Sequence, residues 1–159
     1  MVHTKTIVIT GDKGVGKTTL VKKVIQRSKK NFYGILSERF EKGYFIQDLK
    51  TGEKMISCSE ECIGFKFRKY YFDPEALEFI RRSLKRTGDI LVYDEIGYLE
   101  MEKVDIWDLL QGNALLIVRK DLVPVVSSRF RAEIFEVTKE NREDVVNIIL
   151  ERIRIIEQS

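Results

Sequence analysis

The sequence holds one histidine, His3, and most chemistry that needs an imidazole goes with that scarcity. A Ser-His-Asp or Cys-His triad and a histidine-bearing metal cluster are in practice excluded. Cysteine is nearly as scarce. Cys58 and Cys62 stand four apart in "CSEEC", a spacing that matches no common zinc or thioredoxin-type pattern, so they read as two reduced thiols. Any divalent metal must then be held by oxygen. Only two prolines occur, and no Gly/Ser-rich or single-residue run interrupts the chain, so no linker or disordered segment is expected. Long hydrophobic runs are missing too. The N-terminal "TIVIT" is far too short for a membrane span and lacks the cleavage pattern of a signal peptide. The expectation is a cytoplasmic protein with no membrane partner, folded as one domain over 1–159, long enough to bury roughly two thirds of its unfolded surface.

No tail gathers charge of one sign. With 28 basic and 25 acidic residues the net charge is +3, and the basic residues are spread along the chain, which argues against a nucleic-acid partner. The densest patch, "KKVIQRSKK", falls on a predicted helix whose inner face is Leu20, Val21, Val24 and Ile25, so its charges read as a solvated outer face.

What is there is an alternation of strands and helices. "KTIVIT" is a short, β-branched buried strand, followed by a helix from about Lys17 to about Lys30. "FYGILSE" is a second strand, and "GYFIQDLKTGEKMISCS" a hairpin with Gly52 at its turn. "DPEALEFIRRSLKRTG" is a helix with Asp73 as cap, Pro74 in its first turn and Gly88 at its end. The apolar strand "DILVYDE" closes on two acids. A short helix near Lys103 to Leu110, the strand "ALLIV", a helical turn around Val123 to Phe130 and the strand "AEIFEV" follow. The last helix is expected to open at about Thr138, with Val145, Ile149, Ile153 and Ile156 as its buried stripe. This order predicts an α/β fold with a mostly parallel sheet, helices on both faces and an inserted β-hairpin.

Gly11 to Thr18, "GDKGVGKT", satisfies G-x-x-x-x-G-K-[ST] between a predicted strand and a predicted helix, as a phosphate-binding P-loop requires. Gly11, Gly14 and Gly16 let the backbone curl so that amides of the loop, those of Asp12, Lys13 and Val15 included, face phosphate oxygens. Lys17 is placed to reach the β- and γ-phosphates, the Thr18 hydroxyl to ligate Mg²⁺, and Thr19 to contact the α-phosphate region. The bland reading is a glycine turn with an accidental Lys-Thr pair, and the flanking strand and helix weigh against it.

"ILVYDEIG" puts Asp94 at the mouth of an apolar strand, where a carboxylate can hold Mg²⁺ through its water shell. Glu95, directly after it, is suited to polarise a water behind the γ-phosphate. "DEIG" is also D-x-x-G, in which Gly97 would offer its N–H to the γ-phosphate. A guanine reader, N-K-x-D, is not present: "VRKDL" lacks the asparagine and sets Lys120 beside Asp121. Arg119, following "ALLIV", is the first internal candidate for an arginine against developing charge, ahead of Arg129 and Arg131. In a chain this basic, a surface role competes for each of them. Trp107, Tyr98 and Phe130 could stack on a base, but lone aromatics near helices more often fill core.

"ITGDKGVGKTTLVKK" and "DEIGYLE" resemble the two nucleotide motifs of the small nucleoside-triphosphatases of thermophiles, known in humans as the cancer-related nucleoside-triphosphatase. "GYFIQDLKTGE", "IVRKDLVPVV" and "VTKENRED" extend the similarity over most of the chain, with departures at Tyr98, Leu99 and a shortened stretch from Glu100 to Ala114. The resemblance implies a RecA-like P-loop fold, Mg²⁺, and slow hydrolysis of several nucleoside triphosphates to diphosphate and phosphate. Carried over by position, Gly11 to Thr18 bind phosphates, Asp94 supports the metal and Glu95 is the candidate base. Two other readings stand beside it. A small-molecule or nucleotide kinase would need a second acceptor site, and a nucleotide-gated nucleic-acid switch would need a basic surface.

Overall fold

The computed structural model describes residues 5–59, 65–67, 70–72, 74–96, 104–110, 112–129 and 131–156. In chain order its elements are β1 (Thr6–Gly11), α1 (Lys17–Arg27), β2 (Phe32–Phe40), β3 (Gly43–Asp48), β4 (Lys54–Ser59), β5 (Phe65–Phe67) and β6 (Tyr70–Phe72). There follow α2 (Pro74–Leu84), β7 (Ile90–Ile96), α3 (Val104–Leu109), β8 (Ala114–Val118), a 3₁₀ turn (Lys120–Leu122), α4 (Val123–Arg129), β9 (Glu133–Val137) and α5 (Arg142–Arg154).

Every residue of β1 and β8 is buried, which is why neither carries a charged residue: a parallel strand covered on both faces has no solvent side to mark. Alternate residues point to opposite faces. Ile7, Ile9, Ile90, Val92, Leu115 and Ile117 meet Leu20, Val21 and Val24 of α1 and Val145, Val146, Ile149 and Ile153 of α5. Val8, Leu91, Tyr93, Leu116 and Val118 meet Ala76, Leu77, Ile80 and Leu84 of α2, Trp107 of α3 and Val126 of α4. Each fully buried Leu, Ile or Val contributes about 1.5–3 kcal/mol, so the two clusters clamp the strands from both sides. Trp107 is thus core, with the Arg129 guanidinium 4.8 Å from its ring centre.

The sheet runs in the order β5-β6-β4-β3-β2-β7-β8-β1-β9. From β2 to β9 the pairings are parallel, and beyond β2 they are antiparallel. The fold is therefore the expected P-loop α/β arrangement, with one enlargement. The insertion is a four-stranded arm that continues the main sheet, because β2 serves both halves: Phe32–Ile35 pair with β7, and Ile35–Phe40 pair with β3. The β3–β4 hairpin turns at Gly52, φ 77, as its sequence asks.

Asp48 anchors that arm. Its carboxylate accepts Ser83 Oγ at 2.6 Å and Arg86 Nε at 2.8 Å from the α2 side, and the amides of Lys50 and Thr51 at 2.8 and 3.0 Å. Burial alone would push this carboxyl up, but the four donors outweigh it and bring the pKa down to about 2.

Three helix boundaries differ from the periodicity. α2 stops at Leu84 rather than running to Gly88, because the Arg86 amide reaches back only three residues, to the Ser83 carbonyl at 3.4 Å. α1 stops at Arg27 rather than Lys30, because Ser28 turns extended (φ −90, ψ 150) and its Oγ accepts the Lys30 amide at 3.1 Å. α5 starts at Arg142 rather than Thr138, since Thr138 and Asn141 cap each other ahead of it. The Asn141 Oδ1 accepts the Thr138 amide at 2.7 Å and the Thr138 Oγ1 accepts the Asn141 amide at 3.1 Å. Cys58 lies on β4, and Asp73 and Cys62 lie outside the described residues.

Candidate active site

β1 delivers the chain to Gly11 at the end of the parallel strands, where a curl of five residues leads into α1. The three glycines of the loop meet different surroundings. A Cβ on Gly11 would stand 2.6 Å from the carbonyl oxygen of Val137, at the end of β9. Gly14, at the crest of the curl, has nothing within 4 Å of where its Cβ would stand; its φ of 84, not crowding, is what calls for glycine there. Gly16 is the N-cap of α1 with φ 93, again a left-handed value, and it gives the first amides of the helix no side-chain cap. Those amides and the positive end of α1 therefore face the loop, the arrangement that suits an anion. Lys17 curls into the same space, its Nζ donating to the Gly11 carbonyl at 2.8 Å. Thr19, one residue beyond Thr18, is exposed, as are Asp12, Lys13 and Gly14 on the outer side of the loop.

Two strands away, β7 brings Asp94 to the same edge. Asp94 is only 2% exposed, and the Thr18 hydroxyl donates to its Oδ2 at 2.7 Å across 76 residues of sequence. Ser37 supports it from β2, with its amide 3.4 Å from Oδ2 and its hydroxyl donating to the Asp94 carbonyl. Sequence reasoning missed Ser37. Its only signal is position, two residues past Ile35, the last β2 residue paired with β7. The β7–β8 register passes from Asp94↔Ile117 to Ile96↔Val118, leaving Glu95 as the extra residue of a bulge. Bulges re-aim side chains and cluster beside active sites. Glu95 is described through its backbone alone.

Thr18 and Asp94 fit a magnesium ion. Both supply hard oxygens, they already lie within one hydrogen bond of each other, and Mg²⁺ in phosphate sites takes one or two protein oxygens, with waters and phosphate supplying the rest. Among the described residues no group of three or more His, Cys, Asp or Glu could hold a metal unaided.

Arg119 does reach the carboxyl edge, at the end of β8, but it is half-exposed and lies 3.4 Å from Asp121. Its neighbour Lys120 touches the loop instead, with Nζ 3.2 Å from Asp12, and lies 3.6 Å from Glu136. The hydrogen bond to Asp12 raises the Lys120 ammonium above the ordinary lysine range. These residues, with Val15, Val137, Thr138, Lys139 and Glu140, line a cleft of about 240 Å³ beside the loop. None of the side chains described there is aromatic. Gly97, Tyr98, Leu99 and Phe130 lie outside the described residues. A second residue missed from sequence is Arg142, whose Nη1 donates to the Val15 carbonyl at 3.1 Å. "VTKENRED" displays it, but only the acids of that segment are legible as helix-dipole partners.

No described helix is long and apolar enough to cross a membrane. The nucleoside-triphosphatase THEP1 of Thermotoga maritima is 32% identical to this chain, over 91% of it and 92% of the relative. That of Metallosphaera sedula is likewise 32% identical, over 92% and 85%. The crystal structure of THEP1 from the hyperthermophile Aquifex aeolicus superimposes with a TM-score of 0.80 at 28% identity, covering 93% of this chain and 98% of that one. The profile of the family described as NTPase matches residues 6–150, from the first residue of β1 into α5. With glycine loop, β7 carboxylate and sheet order all inside that span, the chain belongs to the NTPase family.

Proposed function

We propose that this protein is a magnesium-dependent nucleoside-triphosphatase that hydrolyses ATP, GTP, CTP and UTP to diphosphate and phosphate with little regard for the base. The observation that carries the reading is the Thr18–Asp94 hydrogen bond, which joins the phosphate loop to the acidic strand end in one oxygen-lined corner. Lys17 and the amides of Gly11 to Thr19 bind the phosphates. Thr18 and Asp94 would hold Mg²⁺, which would offset negative charge on the phosphates. Glu95 accepts a proton from a water as that water's oxygen bonds to the γ-phosphorus. The bond from the γ-phosphorus to the bridging oxygen breaks, and its electron pair leaves with the β-phosphate. Arg119 and the Gly97 amide are the further candidates for offsetting γ-phosphate charge.

Broad base preference is supported by the cleft beside the loop, whose described side chains are mostly flexible and charged. A tight, discriminating pocket would hold its polar groups fixed and leave them unpaired with the wrong base. With no arginine supplied by a partner, turnover is expected on the order of 10⁻² per second, as in GTPases that carry their arginine in cis.

The test is the fate of the label from γ-labelled ATP incubated with Mg²⁺ and a nucleoside mixture. Recovery as inorganic phosphate supports hydrolysis, whereas label in a nucleoside monophosphate overturns it in favour of a kinase.

A further inference from the structure

We infer that Arg142 is a positioning residue for phosphate binding, holding the glycine loop in its receptive shape from the start of α5. The inference rests on the reading of the loop as a phosphate site and adds the element that shapes it.

Arg142 is half-buried and makes two contacts with the far end of the loop. Its Nη1 donates to the Val15 carbonyl at 3.1 Å, and Nη1 and Cδ lie 2.5 and 3.1 Å from where a Cβ on Gly16 would stand. A trans peptide points its C=O and N–H in opposite directions. Drawing the Val15 carbonyl toward the guanidinium therefore turns the Gly16 N–H away from it and fixes that peptide plane. At φ 93 Gly16 has no side chain to hold the plane by itself.

The arginine stands on a fixed base. Thr138 and Asn141 cap each other, and Asn141 Nδ2 also donates to the Glu136 carbonyl at 2.9 Å, so the turn from β9 into α5 is tied at three points. The next residue, Glu143, pairs with Lys23 at 3.2 Å and Arg27 at 2.6 Å on α1. Val137 closes on Gly11 at the other end of the loop. One segment thus braces both ends of the curl, and a braced loop does not spend phosphate-binding energy on its own ordering.

Two measurements on Arg142→Ala and Arg142→Lys test this. Amide hydrogen exchange of Val15 and Leu20, whose N–H groups donate to the Asp12 and Gly16 carbonyls of the loop, should quicken about tenfold or more in Arg142→Ala in the nucleotide-free protein, with β1 and the rest of α1 unchanged, the size of a charged hydrogen bond lost. The KM for ATP and GTP should rise together by about tenfold with kcat changed much less, and Arg142→Lys should recover most of that loss. Unchanged loop exchange in Arg142→Ala overturns the inference. So does a KM change confined to one base, which would make Arg142 a base contact, and so does exchange that quickens across the whole sheet. The exchange arm needs no catalysis, so failure of the NTPase reading and failure of this one show up in different experiments.

Discussion

The hydroxyl of Thr18, one residue into α1, donates to the carboxylate of Asp94, at the end of β7, at 2.7 Å. The helix lies against one face of the sheet and the strand is separated from β1 by β8, so the bond closes the corner between them. Asp94→Asn keeps the shape of that corner but removes the charge a cation needs. Mg²⁺-dependent turnover is expected to fall about a hundredfold or more, while the Mg²⁺-free affinity for ADP, read by calorimetry, changes little. Equal turnover in the variant would separate Asp94 from the metal.

Glu95 and Lys17 should fail in different ways. Glu95→Gln is expected to bind ATP as the parent does and lose about 10²–10⁴ in kcat, the range of general-base catalysis. Lys17→Ala is expected to lose binding itself, seen as the absence of saturation in a nucleotide titration. A Glu95→Gln protein with the parental rate would remove the glutamate from the mechanism.

The two braced glycines should differ in cost. At Gly16 an added methyl pushes aside the end of the Arg142 side chain, so the penalty is the left-handed backbone, about 1–2 kcal/mol, together with the Arg142–Val15 hydrogen bond. At Gly11 it meets the Val137 backbone oxygen at 2.6 Å, which cannot step aside without disturbing the β1–β9 pairing. Denaturant unfolding should find Gly11→Ala the less stable of the two, and the reverse order would contradict the packing described.

Acid should act on the arm through Asp48. Its carboxyl is lowered from 3.8 to about 2, so its contribution of about 2 kcal/mol is complete above the unfolded value and disappears as pH falls from about 4 toward 2. Asp48→Asn should be less stable than the parent at pH 7, and the gap should close over that window in thermal melts followed against pH. A gap that stays constant down to pH 2 would place the stabilisation elsewhere.

The legible parts of this molecule are those whose chemistry is local. "ALLIV" is a strand on sight because a strand buried on both faces has no polar positions, and "GDKGVGKT" is a loop on sight because its glycines recur at turn spacing. The arm reads as one hairpin because Ser37, Glu38 and Arg39 look like a strand ending in solvent, whereas β2 runs on and changes partners. The start of α5 reads four residues early because Thr138 is a natural cap, whereas in the structure Thr138 and Asn141 close a local turn ahead of the helix. Ser37 and Arg142 escape for the same reason. Each acts on a residue more than fifty positions away, and nothing in their immediate neighbours marks that contact.

The most direct test of the central claim is phosphate release from ATP, GTP, CTP and UTP, each with Mg²⁺ and with the metal chelated. The account predicts that all four are hydrolysed, with kcat/KM values within about tenfold of one another, and only with Mg²⁺ present. Release confined to one base, or undiminished by chelation, would contradict it.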